Sequence, residues 1–116
     1  MSCGIYCIEN KINGKKYIGQ SIDVEKRWIA HKAHLRTGNH VNSYLQRSWD
    51  KYGECVFDFY IVEFCVSEKL NEREKYWIDF YDSFNNGFNL TLGGDGEILL
   101  QGTPKKNYRN IRRKNV

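Results

Sequence analysis

The sequence predicts an α+β domain, and three observations carry that prediction. Asn13-Gly14 separates two short runs of aromatic and β-branched residues, the signature of a tight hairpin. Three later segments repeat apolar residues at helical spacing, each opened by a capping residue or closed by a glycine. The run 55–64, Cys-Val-Phe-Asp-Phe-Tyr-Ile-Val-Glu-Phe, is rich in aromatic and β-branched side chains and reads as a strand buried on at least one face. At 116 residues, the chain is long enough for one core and too short for two.

Taken in order, residues 4–9 form the first strand and residues 15–19 the return strand. With Asn13 and Gly14 as a two-residue loop, Ile12 faces Lys15 and Asn10 faces Tyr17. Tyr6, Ile8 and Asn10 then share a face with Tyr17 and Gly19. Two tyrosines on one face of a hairpin mark either a site or ordinary cross-strand packing, and the hairpin alone favours packing. Asp23 is placed to cap a helix running to about Thr37, with Gly38 as its stop. Val24, Trp28 and Leu35 make its apolar stripe, His31 sits at the stripe's edge, and Arg27 and His34 lie just beyond. A second helix covers Asn42 to Tyr52 and stops at Gly53, with Leu45, Trp49 and Tyr52 facing inward.

Ser67 is read as the cap of a third helix reaching about Tyr81. Leu70, Trp77, Ile78 and Tyr81 form its stripe, and Glu74 falls in the middle of that stripe. A carboxylate facing a core is costly unless a cation or donor meets it. A buried ion pair with an arginine and a metal-ligating or acid–base role both explain it, and helix geometry alone does not separate them. Asn85 to Thr91 reads as a turn and a short extended piece, and Gly93-Gly94-Asp95-Gly96 as a flexible exit. The expected division is a domain over 1–94 and a linker with a basic tail over 95–116. There is no internal repeat.

The net charge of +4 is unevenly spread: all fourteen acids lie at or before Glu97. Residues 104–116 carry Lys105, Lys106, Arg109, Arg112, Arg113 and Lys114, a +6 arm against −2 for residues 1–103. Such an arm suits a phosphate backbone, as candidate nucleic-acid contacts, or is simply a solvated tail. Cys3, Cys7, Cys55 and Cys65 include no Cys-x-x-Cys pair and no neighbouring His in ligand spacing, so buried free thiols are expected rather than zinc or disulfides. No apolar run is long enough to span a membrane, and the N-terminus lacks the pattern of a secretory signal. The expectation is a cytoplasmic protein, of a bacterial or phage-type host cell, with no membrane partner and no small-molecule cofactor.

Gly4-Ile5-Tyr6, ten intervening residues and Tyr17-Ile18-Gly19 resemble the namesake signature of the GIY-YIG nuclease family. Arg27 and His31 on the first helix, Glu74 within Glu72-Arg73-Glu74-Lys75-Tyr76-Trp77, and Asn89 within Gly87-Phe88-Asn89-Leu90 fall at matching places. The resemblance covers about residues 3–94, and its texture is similar to the nuclease domains of phage and bacterial homing endonucleases.

The resemblance implies a small three-stranded antiparallel sheet flanked by about three helices. It also implies hydrolysis of a DNA phosphodiester with one divalent ion, leaving 5′-phosphate and 3′-hydroxyl ends. Glu74 would be the only protein ligand to that ion, which suits Mg²⁺ or Mn²⁺ with water and phosphate oxygens completing the shell. Arg27 would meet the growing phosphoryl charge as a permanently cationic donor. Tyr6 would be the general base, which asks for positive charge beside a phenol that ordinarily titrates near 10. Tyr17 and His31 would orient the attacking water and Tyr6, Asn89 would tie the site to the helix, and Gly4 and Gly19 would permit close packing at the strand ends. His40, in a loop where some homing members carry a functional His, is a further candidate. The alternatives are a nucleic-acid-binding module that no longer cuts, or a repair- or restriction-type nuclease.

Overall fold

The computed structural model describes residues 1–94. Three strands, β1 (Gly4–Asn10), β2 (Lys16–Ser21) and β3 (Phe57–Phe64), form one antiparallel sheet in the order β2-β1-β3. Four helices accompany it: α1 (Val24–Thr37), α2 (Ser43–Tyr52), α3 (Leu70–Tyr81) and the short α4 (Ser83–Asn86). The tail cations from Lys105 to Lys114 lie outside the described residues.

β1 is central and buried along nearly its whole length because a helical layer covers each face of the sheet. Its side chains alternate between the layers. Tyr6 and Ile8 join Val24, Leu35, Leu45, Trp49, Phe57 and Phe88 under α1 and α2. Ile5 and Cys7 join Ile18, Leu70, Ile78 and Phe84 under α3 and α4. Fully burying one such aliphatic side chain contributes about 1.5–3 kcal/mol, so the two half-cores together hold the sheet between the layers.

The expected caps hold for the first two helices. The Asp23 side chain accepts from the Lys26 amide, and Gly38 closes α1 in the left-handed region at φ 80°. Asn42, expected as the first residue of α2, is its N-cap; its side-chain oxygen accepts from the Tyr44 and Leu45 amides at 3.0 Å each.

The hairpin register differs from expectation. Ile8 pairs with Tyr17 and Glu9 with Lys16, so the loop holds four residues, Lys11 to Gly14, instead of two. The cause is Asn10, whose side-chain oxygen accepts the Ile12 amide at 2.8 Å and turns the chain early. The slip is two residues, so every side chain keeps its face and Tyr6 and Tyr17 still share one.

Other boundaries also shift. A 3₁₀ turn over Glu54–Val56 delays β3 to Phe57 and carries Cys55 to the surface. Cys7 is buried as expected, while Cys3 and Cys65 are half-buried. Ser67 does not cap α3: it opens a 3₁₀ turn, its hydroxyl turns to Glu68, and α3 proper begins at Leu70. Asp82 takes φ 53°, and its carboxylate binds the Asn85 and Asn86 side chains, which winds the expected turn into α4. No described helix is long and apolar enough to cross a membrane.

Candidate functional site

Tyr6 lies at the centre of the site, 1% exposed, with its hydroxyl oxygen 2.7 Å from Nε2 of His31 on α1. The Tyr17 ring stands 6.4 Å from that of Tyr6 and 5.6 Å from that of His31, and Trp28 packs edge-on against Tyr6 at 6.3 Å. Arg27, one turn before His31 on α1, places its guanidinium beside the Tyr6 hydroxyl. Burial pushes the Tyr6 phenol well above its usual range; the Tyr17 and Glu74 side chains add to that rise, and Arg27 opposes it by charge and hydrogen bonding.

His40 completes a chain of hydrogen bonds whose direction the backbone settles. The Asn42 amide reaches His40 Nδ1 at 3.0 Å, and an amide N–H can only donate. His40 Nδ1 is therefore the acceptor, and a neutral His40 carries its proton on Nε2. That proton points to His31 Nδ1 at 2.7 Å, so His31 in turn carries its own proton on Nε2 and donates it to Tyr6. The two imidazoles are nearly coplanar, 17° apart with centroids 5.0 Å apart, which is the geometry of an in-plane N–H···N bond and not of a face-to-face stack. Burial, with the charges of His40, Arg27 and His34, depresses His31 to about 3; burial and His34 depress His40 to about 4. Both rings stay neutral at neutral pH, and the phenol oxygen of Tyr6 accepts from His31 without giving its own proton to it. Gln46 holds the loop in place by accepting the His40 amide at 3.0 Å.

Glu74 reaches the site from the opposite layer. It is 5% exposed, and Oε1 accepts from Gln20 Nε2 at 3.0 Å and from the Gly94 amide at 2.9 Å. β2 is an edge strand and Gln20 points to the α3 face, so Glu74 lies around the edge of β2 from Tyr6, within electrostatic reach of it. No ion pair between Glu74 and Arg27 is present among the described residues; the α3 residues in salt bridges are Arg73, with Glu63 at 2.7 Å, and Glu72, with Lys69 at 3.5 Å. Gly93 and Gly94, expected as a flexible exit, turn back over α3 at φ 94° and 90°; a side chain at Gly93 would strike Ile78 at 2.6 Å.

Residues 2–89 match the family model described as the GIY-YIG catalytic domain. The chain belongs to the GIY-YIG family. It is 44% identical over 92 residues to intron-associated endonuclease 1 of Enterobacteria phage T4, covering 78% of this chain and 37% of that protein. It is 32% identical over 87 residues to probable intron-encoded endonuclease 1 of Neurospora crassa, covering 75% of this chain and 27% of that protein. The chain thus spans about a third of the length of these relatives. The solved catalytic domain of the homing endonuclease I-TevI superposes with a TM-score of 0.72 at 40% identity, over 77% of this chain and 98% of that one. A mutant of that domain gives 0.73 at 40% identity, over 78% and 95%.

The two GIY-YIG tripeptides are neighbours because they pair in the sheet, with Tyr6 opposite Gly19. A Cβ at Gly19 would collide with the Tyr6 phenol, at 2.9 Å from Cε1 and closer still to the ring carbon and oxygen beyond. Gly19 thus makes the space that the phenol fills. Gly4 permits β1 to approach β3 at the strand's start, where a side chain would meet the Glu63 carbonyl. Asn89 links β2 to the segment that opens with α4, its own amide donating to the Ser83 carbonyl at 3.1 Å. Its side chain accepts from the Ile18 amide at 2.8 Å and donates to the Ile18 carbonyl at 2.9 Å, fastening the 83–89 segment to the open edge of β2.

Nucleases of this family generally use a divalent metal ion. No group of three or more His, Cys, Asp or Glu side chains able to cage an ion occurs among the described residues. A single, nearly buried carboxylate on hard-oxygen chemistry fits an ion that keeps most of its water and takes phosphate oxygens from its substrate, and does not fit zinc. Sequence reasoning passed over Gln20, Asn42 and Gly94. Asn42 carried a signal, since an Asn before an apolar-periodic run is a cap; Gln20 and Gly94 act through tertiary contacts that no local pattern announces.

Proposed function

We propose that this chain is the catalytic domain of a homing-type DNA endonuclease that hydrolyses one phosphodiester at a time, with Glu74 as the single protein ligand to Mg²⁺ or Mn²⁺, leaving 5′-phosphate and 3′-hydroxyl ends. The observation that supports this reading is convergence: a buried phenol, a guanidinium, an imidazole of set tautomer and a carboxylate meet at the edge of one strand.

Each residue has a role its geometry suits. Arg27 binds the non-bridging phosphate oxygens and meets the charge that grows on them. Tyr6 takes a proton from the attacking water once its own has left, and the His31 Nε2–H holds the resulting phenolate oxygen in place. Tyr17, on the same face, orients water or phosphate. A divalent ion at Glu74 would stabilise the leaving 3′-oxygen as a Lewis acid. The raised affinity of Tyr6 for its proton means that cationic neighbours must be in place before it can act, so catalysis is coupled to metal binding.

The test is supercoiled-plasmid cleavage by the purified chain with Mg²⁺, with chelator, and with Glu74→Ala. Metal-dependent nicking that is lost in the variant supports the reading. Duplex binding without cleavage under any metal leaves a binding module instead.

A further inference from the structure

The face of α2 turned away from the core is also a wall of a cleft of about 400 Å³ outside the site. Tyr44, Arg47 and Lys51 follow one another at helical spacing along that wall, Lys15 of the hairpin loop stands opposite, and the floor is the Gly87–Phe88 backbone. Among the described residues no carboxylate lines it. Residues 1–94 carry twelve Lys and Arg against twelve Asp and Glu, so nothing in their net charge draws a polyanion. Their cations are unequal, however. Lys16, Arg36, Lys69 and Arg73 are spent on ion pairs, whereas Lys15, Arg47 and Lys51 form none among the described residues. The Arg47 guanidinium rests 5.4 Å from the Tyr44 ring and the Lys51 ammonium 5.3 Å from the Tyr52 ring, which holds both charges at the mouth without neutralising them.

The cleft adjoins the site. The Phe88 amide donates to the Lys16 carbonyl, the residue before Tyr17, and the Phe88 carbonyl accepts from Asn42, whose own amide sets His40. Gly87 lets this segment lie close against β2 and α4, since a side chain there would strike the Lys16 carbonyl at 2.5 Å and the Ser83 backbone at 2.9 Å.

We propose that this cleft is a second phosphate subsite, in which Lys15, Arg47 and Lys51 hold the DNA sugar–phosphate backbone to one side of the bond being cut. The inference rests on the reading of DNA as substrate. It gives the domain a backbone anchor separate from the basic tail and from the reacting phosphate, the kind of contact that sets position and not sequence.

The test compares the full chain with Arg47→Glu/Lys51→Glu, and separately with Lys15→Glu on the opposite wall. Duplex binding is measured by fluorescence anisotropy in chelator across a range of KCl, and single-turnover cleavage at saturating duplex with Mg²⁺. Lys32→Glu/Lys69→Glu, an equal charge change on other surfaces, is the control. The expected result is a rise in Kd of at least about tenfold for the α2 pair, with a salt slope shallower by about two contacts. The control should stay within about threefold of wild type, and the saturated cleavage rate should hold. Equal weakening in the control, or an unchanged salt slope in both cleft variants, overturns the proposal. So does relief of binding by inorganic phosphate beyond that of chloride at equal ionic strength, which would make the cleft a free-phosphate site. Binding is read without cleavage, so an inactive chain that still loses affinity in the cleft variants refutes the nuclease reading while the cleft stands.

Discussion

The Tyr6 hydroxyl oxygen and Nε2 of His31 lie 2.7 Å apart, both inside the core, and the histidine is the donor. Tyr6→Phe removes the acceptor as well as the phenol. Cleavage should fall about 10²–10⁴-fold, the usual size of a lost general base. The orphaned His31 N–H should also cost about 1–3 kcal/mol of folding stability, read as a lower urea midpoint. Wild-type cleavage by the variant would remove Tyr6 from the chemistry.

His40 acts at one remove, by presenting a donor to His31 Nδ1. ¹⁵N-edited spectra of the histidine rings should show His31 and His40 both protonated on Nε2 at neutral pH. In His40→Ala that constraint disappears, and His31 should populate both tautomers. Single-turnover cleavage should then slow about tenfold or more while duplex affinity holds, because only one tautomer supports Tyr6. A wild-type His31 protonated on Nδ1 contradicts the hydrogen-bond chain.

The same pair makes stability depend on pH. Burial first, then neighbouring positive charge, holds His31 to about 3 and His40 to about 4, while in the unfolded chain both titrate near 6.5. Between these values the unfolded state binds more protons, so stability is full above about pH 6.5 and falls as the pH drops toward 4. The loss should be on the order of a few kcal/mol across that window. Urea midpoints at pH 7 and pH 4.5 measure it; the double variant His31→Gln/His40→Gln should show a flatter profile, and an equally steep one assigns the effect to carboxylates.

Gly19→Ala tests whether the phenol needs the space it fills. The new methyl lands on Tyr6, so the ring must move. Overpacking of this kind costs about 1–3 kcal/mol, which a domain of this size can survive. Cleavage should nevertheless drop about 100-fold, since a shift of about 1 Å at a reacting group is that expensive. A folded Gly19→Ala protein with wild-type activity would show that the position of Tyr6 is not critical.

What the sequence determined by itself was largely local. Hairpin turn chemistry, caps at Asp23, Gly38 and Gly53, and helical spacing of apolar residues specify elements through contacts a few residues apart, and those elements stand where they were expected. The facing of Tyr6 and Tyr17 survived even a wrong register, because a slip of two residues preserves the pleat. The stripe on α3 likewise pointed Glu74 inward, and the paired tripeptides identified the family. Tertiary structure decided the rest. Only the folded chain brings Gln20 and the Gly94 amide onto Glu74, clips Asn89 to the edge of β2, and strings Asn42, His40 and His31 into one directed chain ending at Tyr6. These contacts join residues up to 71 positions apart. Their geometry is set by how two layers close on a sheet, and periodicity along the chain holds no record of it.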